Sequence, residues 1–453
     1  MNKKRSSQPT HHISSAIYRY RCTSLLLLII LQPFSLLLKA QESSPARDAT
    51  VDVRYLKEIK ALADQRVIRS AFLVIVDLEP KTMQNLLALT QIPAPPFKEA
   101  ARAEKFKQLL QTAGADSIWV DSAGNIIALR RGKSGKKTVV IEGHLDTVFP
   151  ESTDVTVKQR GDTLFAPGIN DDTRGLTVVI TLLEALNKAG VRTENNILFV
   201  GTTGEEGLGD LRGVKQLFNS GLKIDSYIAI DGGELGKIVF GAVGSRRYRI
   251  TYKGEGGHSY WAFGLANPHN ATARAIQHFI TAADVFTKKG PKATYNIGRM
   301  GGGTSVNSIP FESWMEVDMR SESPKSLAGM DTLLQQAIRR GLQEENAIKR
   351  IGRDLTVDIQ LVGDRPTGIQ DSSLAIVQRA AAASVQMGAK PRLYFNSTNA
   401  NIPISKGIPA ITIWNGGKSG GAHSLNEWFL NDKGYLAIQA ALLLLVSEAG
   451  LAK

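Results

Sequence analysis

Five short polar clusters place histidines and carboxylates where they could act together. GHLDTV carries His144 and Asp146, APGINDDTRG the adjacent acids Asp171 and Asp172, GTTGEEGLGD the pair Glu205 and Glu206, AIDGG Asp231, and GGAHSLNEW His423. One acidic pair in a loop is usually solvated surface, and one histidine after a strand is usually structural. Five such clusters, expected at five strand ends, ask for another explanation. The single cysteine, Cys22, lies far upstream, so a metal held by these clusters is held by imidazole and carboxylate, a donor set suited to zinc, cobalt or manganese. Two ions about 3.5 to 4 Å apart need a bridging carboxylate, one histidine and one acid on each side, and a base for the water. The inventory meets that need. Glu205 and Glu206 divide the work sensibly, because a metal-bound carboxylate is poorly basic while its neighbour can accept a proton.

The elements that must position these residues alternate. A helical pattern through Leu56, Ile59 and Leu62 runs toward Phe72, Pro93, Pro95 and Pro96 mark a loop, and a helix follows with Phe106, Leu109 and Leu110 on one face. Strands are predicted over residues 139–141, 197–200 and 227–230, with an amphipathic helix over 175–186. This order predicts an α/β doubly wound domain with a mostly parallel sheet, which binds its ligands at the carboxyl ends of the strands. From about Ser245 the order changes. A strand at 247–253, a helix at 270–286, strands at 293–300 and 314–320, a helix at 326–345 and a strand at 355–362 give β-α-β-β-α-β, the ferredoxin-like split-βαβ sandwich. A helix at 373–385 and a strand at 410–414 resume the first pattern. The expected division is a leader at 1–40, a catalytic domain at 41–244 and 365–453, and an inserted α+β domain at 245–364.

Composition sets the class. The 453 residues are 43% hydrophobic and 21% charged, which excludes disorder, collagen and coiled coil and gives ample chain for a core. A formal charge of +13 invites a nucleic-acid or membrane reading. Lys3, Lys4, Arg5, Arg19, Arg21 and Lys39 account for much of it, and without them the balance falls to 49 basic against 42 acidic residues. Those six flank an apolar run at 25–38, interrupted by Gln32 and Pro33 and followed by Ala40, which reads as a secretory signal peptide. The expectation is an exported protein, periplasmic or secreted, with no stable membrane span after cleavage; an uncleaved anchor is the alternative. The remaining chain has no thiol, which suits an oxidising compartment. GKS in RRGKSGKKT lacks the upstream glycine of a phosphate loop, with Ile127 in its place, and it precedes a strand. GRMGGGTS reads as a tight turn, and Lys133, Lys136 and Lys137 as a solvated hairpin without interleaved aromatics, so no nucleic-acid partner is expected.

Taken together and in order, GHLDTV, GINDD, GEEG, AIDGG and AHSLNEW resemble the dinuclear-zinc metallopeptidases that include peptidase T, carboxypeptidase G, aminoacylase and succinyl-diaminopimelate desuccinylase. The resemblance covers Pro93 to the C-terminus. It implies that His144 and Asp231 bind one metal, that Glu206 and His423 bind the other, and that Asp171 bridges them. Asp146 would orient His144, and Glu205 would be the general base. It also implies a cis peptide bond between Asp171 and Asp172. In the inserted segment it points to a lid or dimerisation domain, with His258 of GGHS an oxyanion donor reaching a partner subunit's cleft, and Asn307 and Arg320 binding the substrate carboxylate or backbone. His269 and His278 have no ligand-like spacing and read as structural. Two departures stand out: DDTRG where many relatives have a Lys or Met near Asp172 and Thr173, and Asn399 where some carry an acid.

The implied function is an exported, zinc-dependent hydrolase of short peptides, acting as a homodimer. Asp231 favours an aminopeptidase or di/tripeptidase, since the resemblance associates Asp at this ligand with that direction of cleavage and Glu with carboxypeptidases and deacylases. The alternatives are an N-acyl amino acid amidohydrolase or carboxypeptidase of the same family, and a non-catalytic peptide- or zinc-binding protein. Loss of Glu205 would mark the last, and Glu205 is present.

Overall fold

A computed structural model describes residues 47–453. The leader expected at 1–40, with its apolar run and Cys22, lies outside them. Among the described residues no helix is long and apolar enough to cross a membrane.

The central sheet is mixed and has a parallel heart. Strands Ala410–Ile413, Ser226–Ile230, Thr138–His144 and Asn196–Thr202 lie side by side in that order, all parallel. Strands Ile126–Arg130 and Ser117–Val120 extend one edge antiparallel. Lys237–Ala242 and Arg392–Asn396 extend the other, parallel to each other. The expected hairpin around Lys133 is not one: the strands on either side of it both pair with Asn196–Thr202 and not with each other.

Helices cover both faces. On one side Val53–Ala63, Arg66–Asp77, Thr173–Lys188, Ala375–Gln386 and Tyr435–Ala449 pack over Ile141, Phe199, Ile228 and Ile411. On the other, Val214 and Leu217 of helix Arg212–Asn219 pack over Val140, Val200 and Tyr227. The single helical pattern expected toward Phe72 is two helices, broken at Asp64 and Gln65. The larger departure is Thr173–Lys188. Every residue from Thr173 to Leu186 is buried, so this amphipathic helix is enclosed on all sides, its polar face of Thr177, Thr181 and Glu184 included. Its neighbours explain this: the N-terminal helices, which the sequence does not identify as an outer layer, lie over its far face, where Thr181 Oγ1 meets Thr82 Oγ1 at 2.8 Å.

The chain leaves the central sheet at Ala242 and rejoins it at Gly368, which pairs with Ala242 itself. Between them lies a four-stranded antiparallel sheet in the order Ala293–Gly302, Glu312–Ser321, Gly244–Lys253, Thr356–Arg365. Helices Pro268–Thr287 and Pro324–Ile348 supply Phe279, Leu334 and Ile338 to a core of its own with Ile250, Met315 and Val317. His269 Nδ1 meets Ser313 Oγ at 2.8 Å and His278 Nε2 meets Glu344 Oε2 at 2.8 Å, so both histidines are satisfied within this unit.

The enclosure of Thr173–Lys188 is testable. Val179 and Thr181 point to opposite faces of the helix. Val179→Asp and Thr181→Asp should each destabilise the protein by about 3 kcal/mol or more in chemical denaturation, since each buries an unpaired charge. A helix with one face in solvent would tolerate one of the two.

Candidate metal centre

His144 ends the central parallel strand Thr138–His144, and the residue before it has to be glycine. A Cβ on Gly143 would stand 2.8 Å from Asp172 Oδ2. That oxygen accepts the His144 N–H at 3.0 Å, while Asp172 Oδ1 accepts the Gly175 N–H at 3.2 Å and caps helix Thr173–Lys188. Asp172 therefore ties the end of the strand to the start of the helix, and the peptide bond joining it to Asp171 is cis.

Asp171 lies between two imidazoles. His144 Nε2 is 3.0 Å from its Oδ1, and His423 Nε2 is 3.1 Å from its Oδ2. His423 Nε2 is also 2.9 Å from Glu206 Oε1. His423 adopts a left-handed backbone conformation, φ 64°, uncommon for a residue with a Cβ and concentrated at functional sites. The ligand atoms of His144, Asp171 and Glu206 lie within 4.8 Å of one another. Asp231 follows strand Ser226–Ile230, fixed by its N–H donating to the Ile413 carbonyl at 3.0 Å. The charge of Asp171 raises its carboxyl and that of His144 lowers it.

The tautomer of His144 bears on what this cluster can hold. Its Nδ1–H donates to the Asp146 carbonyl at 3.0 Å, so in the neutral ring the Nε2 lone pair faces the Asp171 carboxylate. Two acceptors facing one another at that distance call for a cation or a proton between them. The charges agree. Burial and the Asp171 charge push Glu206 up to about 7 and Asp231 up to about 6. Hydrogen bonds to Asp171 and Glu206 push His423 up to about 11. Burial would raise Asp171, but the hydrogen bonds from both histidines outweigh it and hold its carboxyl below the usual range. A cluster that gathers protons to offset crowded carboxylates is one from which divalent cations displace protons, and the residues fit the metals expected from the sequence.

Asp146 is placed differently from the expectation. Its carbonyl, and not its carboxylate, bonds His144; Oδ1 is 3.8 Å from Nδ1. The carboxylate is occupied by the backbone N–H groups of Glu205 and Glu206, at 2.9 and 2.8 Å, and so holds the two acids side by side. Glu205 Oε1 accepts from Arg365 Nη1 at 3.1 Å. Arg365 stands alone in its stretch of sequence, and no pattern points to it. Glu427 was within reach: it belongs to the same AHSLNEW cluster as His423. It accepts the backbone N–H groups of Gly168, Asn170 and Asp171 at 2.8, 2.8 and 2.9 Å, fixing the loop that presents Asp171.

Three expected site residues lie apart from this cluster. His258, in the two-residue strand Gly257–His258, is exposed and accepts the Tyr260 N–H at 3.2 Å. Asn307 is exposed and bonded to Ser305, and Arg320 Nε donates to Asp318 Oδ2 at 2.7 Å. Among the described residues, none of the three bonds to the centre.

Buried acids on a parallel sheet, two histidines sharing a carboxylate and an adjacent pair of glutamates make a metal-binding donor set, and the family the sequence matches makes the class a metal-dependent hydrolase of peptide bonds. The sequence pattern of peptidase family M20/M25/M40 matches residues 140–447, and the chain belongs to that family. It is 24% identical over 351 residues to the uncharacterized protein YqjE of Bacillus subtilis, across 74% of this chain and 90% of that one. A tripeptidase from Staphylococcus aureus superposes with a TM-score of 0.68 at 20% identity, over 82% of this chain and 98% of its own. Aminopeptidase PepT from Bacillus cereus does so with a TM-score of 0.65 at 19% identity, over 82% and 99%. These two likenesses establish the fold.

Asn399 answers to a buried acid elsewhere. Its Nδ2 donates to Glu142 Oε2 at 3.2 Å and to Thr202 Oγ1 at 2.8 Å, and the same Glu142 oxygen accepts from Thr202. The carboxylate is supplied by the strand before His144, and a donor suits position 399. Burial pushes Glu142 up to about 7 from an ordinary 4.5. A folded-state value above the unfolded one means stability that is fully present below about 4.5 and is lost as pH rises through about 7. Glu142→Gln keeps an acceptor for both donors and removes the charge. It should therefore raise the stability at pH 8, by up to a few kcal/mol at about 1.4 kcal/mol per unit, and lose most of that advantage at pH 5. Thermal denaturation at the two pH values checks it.

Proposed function

We propose that the chain is an exported two-metal peptidase that cleaves short peptides from the amine end, as an aminopeptidase or a di- or tripeptidase. The observation that carries this reading is the Asp171 carboxylate, with one oxygen toward His144 and the other toward His423. His144 and Asp231 would hold one ion and Glu206 and His423 the other, with Asp171 between them; zinc fits first, with cobalt or manganese as alternatives. When bound, the ions polarise the scissile carbonyl and make water acidic enough to ionise near neutral pH. Glu205 takes the water's proton and passes it to the leaving amine. Asp146 keeps Glu205 and Glu206 in register through their N–H groups, so that the acid on the metal and the acid that moves the proton stay distinct. Glu427 holds Asp171 through the backbone.

The direction of cleavage rests on Asp231 and is supported by the likeness to a tripeptidase and an aminopeptidase. Export rests on the leader-like residues 1–40. The test is a matched pair of substrates, a di- or tripeptide and its N-acetylated form, assayed with the zinc-loaded protein. The free amine should be preferred at least tenfold in kcat/KM, about 1.4 kcal/mol. Preference for the acetylated compound would assign the chain to hydrolysis of N-acyl amino acids instead.

The four-stranded unit between Gly244 and Arg365 would serve as lid and dimerisation domain, with His258 acting as oxyanion donor in the partner's cleft, and Asn307 and Arg320 binding the substrate's carboxylate or backbone. Their exposure supports a role across subunits. Mixing inactive Glu205→Ala and His258→Ala proteins should restore activity, since a heterodimer would carry one intact composite site. No recovery after verified subunit exchange would place His258 outside the partner's cleft.

A further inference from the structure

Glu205 is held at every polar group but one. Its N–H donates to Asp146 Oδ1 at 2.9 Å, its carbonyl accepts from Arg365 Nη2, and its Oε1 accepts from Arg365 Nη1 at 3.1 Å. Among the described residues, Oε2 has no hydrogen-bond donor. Arg365 is the last residue of strand Thr356–Arg365 in the four-stranded sheet, is 4% exposed, and shares Nη1 with Ser397 Oγ at 3.1 Å. The same sheet grips the loop beyond Glu205 twice more. Arg247 Nη1 donates to the Gly207 carbonyl at 2.6 Å, and the Asp364 N–H donates to Asp210 Oδ1 at 2.9 Å.

On the reading that Glu205 is the general base, we propose that Arg365 is its positioning residue: the guanidinium fork clamps Oε1 and the Glu205 carbonyl together and leaves Oε2 as the oxygen that takes the proton. Two properties of the contact support this. A planar fork can hold a side-chain oxygen and a main-chain oxygen of one residue at once, which an ammonium on a flexible stem cannot do with the same rigidity. A general base works only within hydrogen-bond reach of its proton, so a carboxylate free to turn loses rate without losing its substrate. Because Arg365 ends a strand of the four-stranded sheet, the placement of that sheet is transmitted to the base.

The experiment uses the full zinc-loaded protein and its Arg365→Ala, Arg365→Lys and Glu205→Ala variants. Arg365→Ala should lower kcat about 100-fold with KM within about threefold and metal content unchanged. Added guanidinium should restore part of the loss. Arg365→Lys should fall between Ala and wild type, and it decides the matter if the alanine variant does not fold. A double Glu205→Ala, Arg365→Ala variant should be no slower than Glu205→Ala alone, because the clamp acts through the base. Wild-type kcat in the Arg365 variants, with Glu205→Ala inactive, overturns the clamp and leaves the base in place. A raised KM with intact kcat also overturns it and assigns the buried, unpartnered Nε of Arg365 to the substrate. Glu205→Ala within tenfold of wild type overturns the base reading itself, and the clamp with it.

Discussion

One carboxylate has to present an oxygen to each of two histidines that come from distant parts of the chain, and much of the molecule is arranged around that requirement. Asp171 meets His144 on one side and His423 on the other. Three surrounding acids, Glu206, Asp231 and Glu427, are each raised by burial. Such crowding is expensive unless the charges are offset, and the cost is met by imidazoles, by backbone N–H groups and by metal ions when bound. The parallel heart of the sheet makes the gathering possible. His144 and Asp231 follow adjacent strands, Glu205 and Glu206 follow the next one, and Ile413, in the strand on the other flank, fixes Asp231 through its carbonyl.

Backbone groups do much of the positioning. Asp146 accepts two N–H groups and Glu427 three, while Asp172 ties strand to helix. Each of these acids fixes a loop by accepting donors that would otherwise be buried without partners. The main chain is rigid there before any ligand side chain is considered, which is the condition for a preorganised centre. Arg365 extends the pattern across the junction between the two sheets.

Much of this was legible in the sequence. The alternation of strands and helices gave the α/β class, and the five clusters contained every residue of the cluster around Asp171. What was not legible has physical causes. The enclosure of Thr173–Lys188 depends on N-terminal helices whose docking no local pattern announces. The expected bond between His144 and the Asp146 carboxylate is replaced by one to its carbonyl, because the carboxylate serves main-chain donors that periodicity does not reveal. Arg365 and Glu142 are single residues in strands, and only the tertiary fold brings the first to Glu205 and the second to Asn399.

The central claim is that Asp171 stands between two metal ions. Anomalous diffraction at the zinc edge from crystals of the zinc-loaded protein tests it most directly. Two peaks about 3.5 to 4 Å apart are predicted, one beside His144 and Asp231, the other beside His423 and Glu206, with the Asp171 carboxylate between them. A single peak, or a pair that does not share Asp171, would contradict the account.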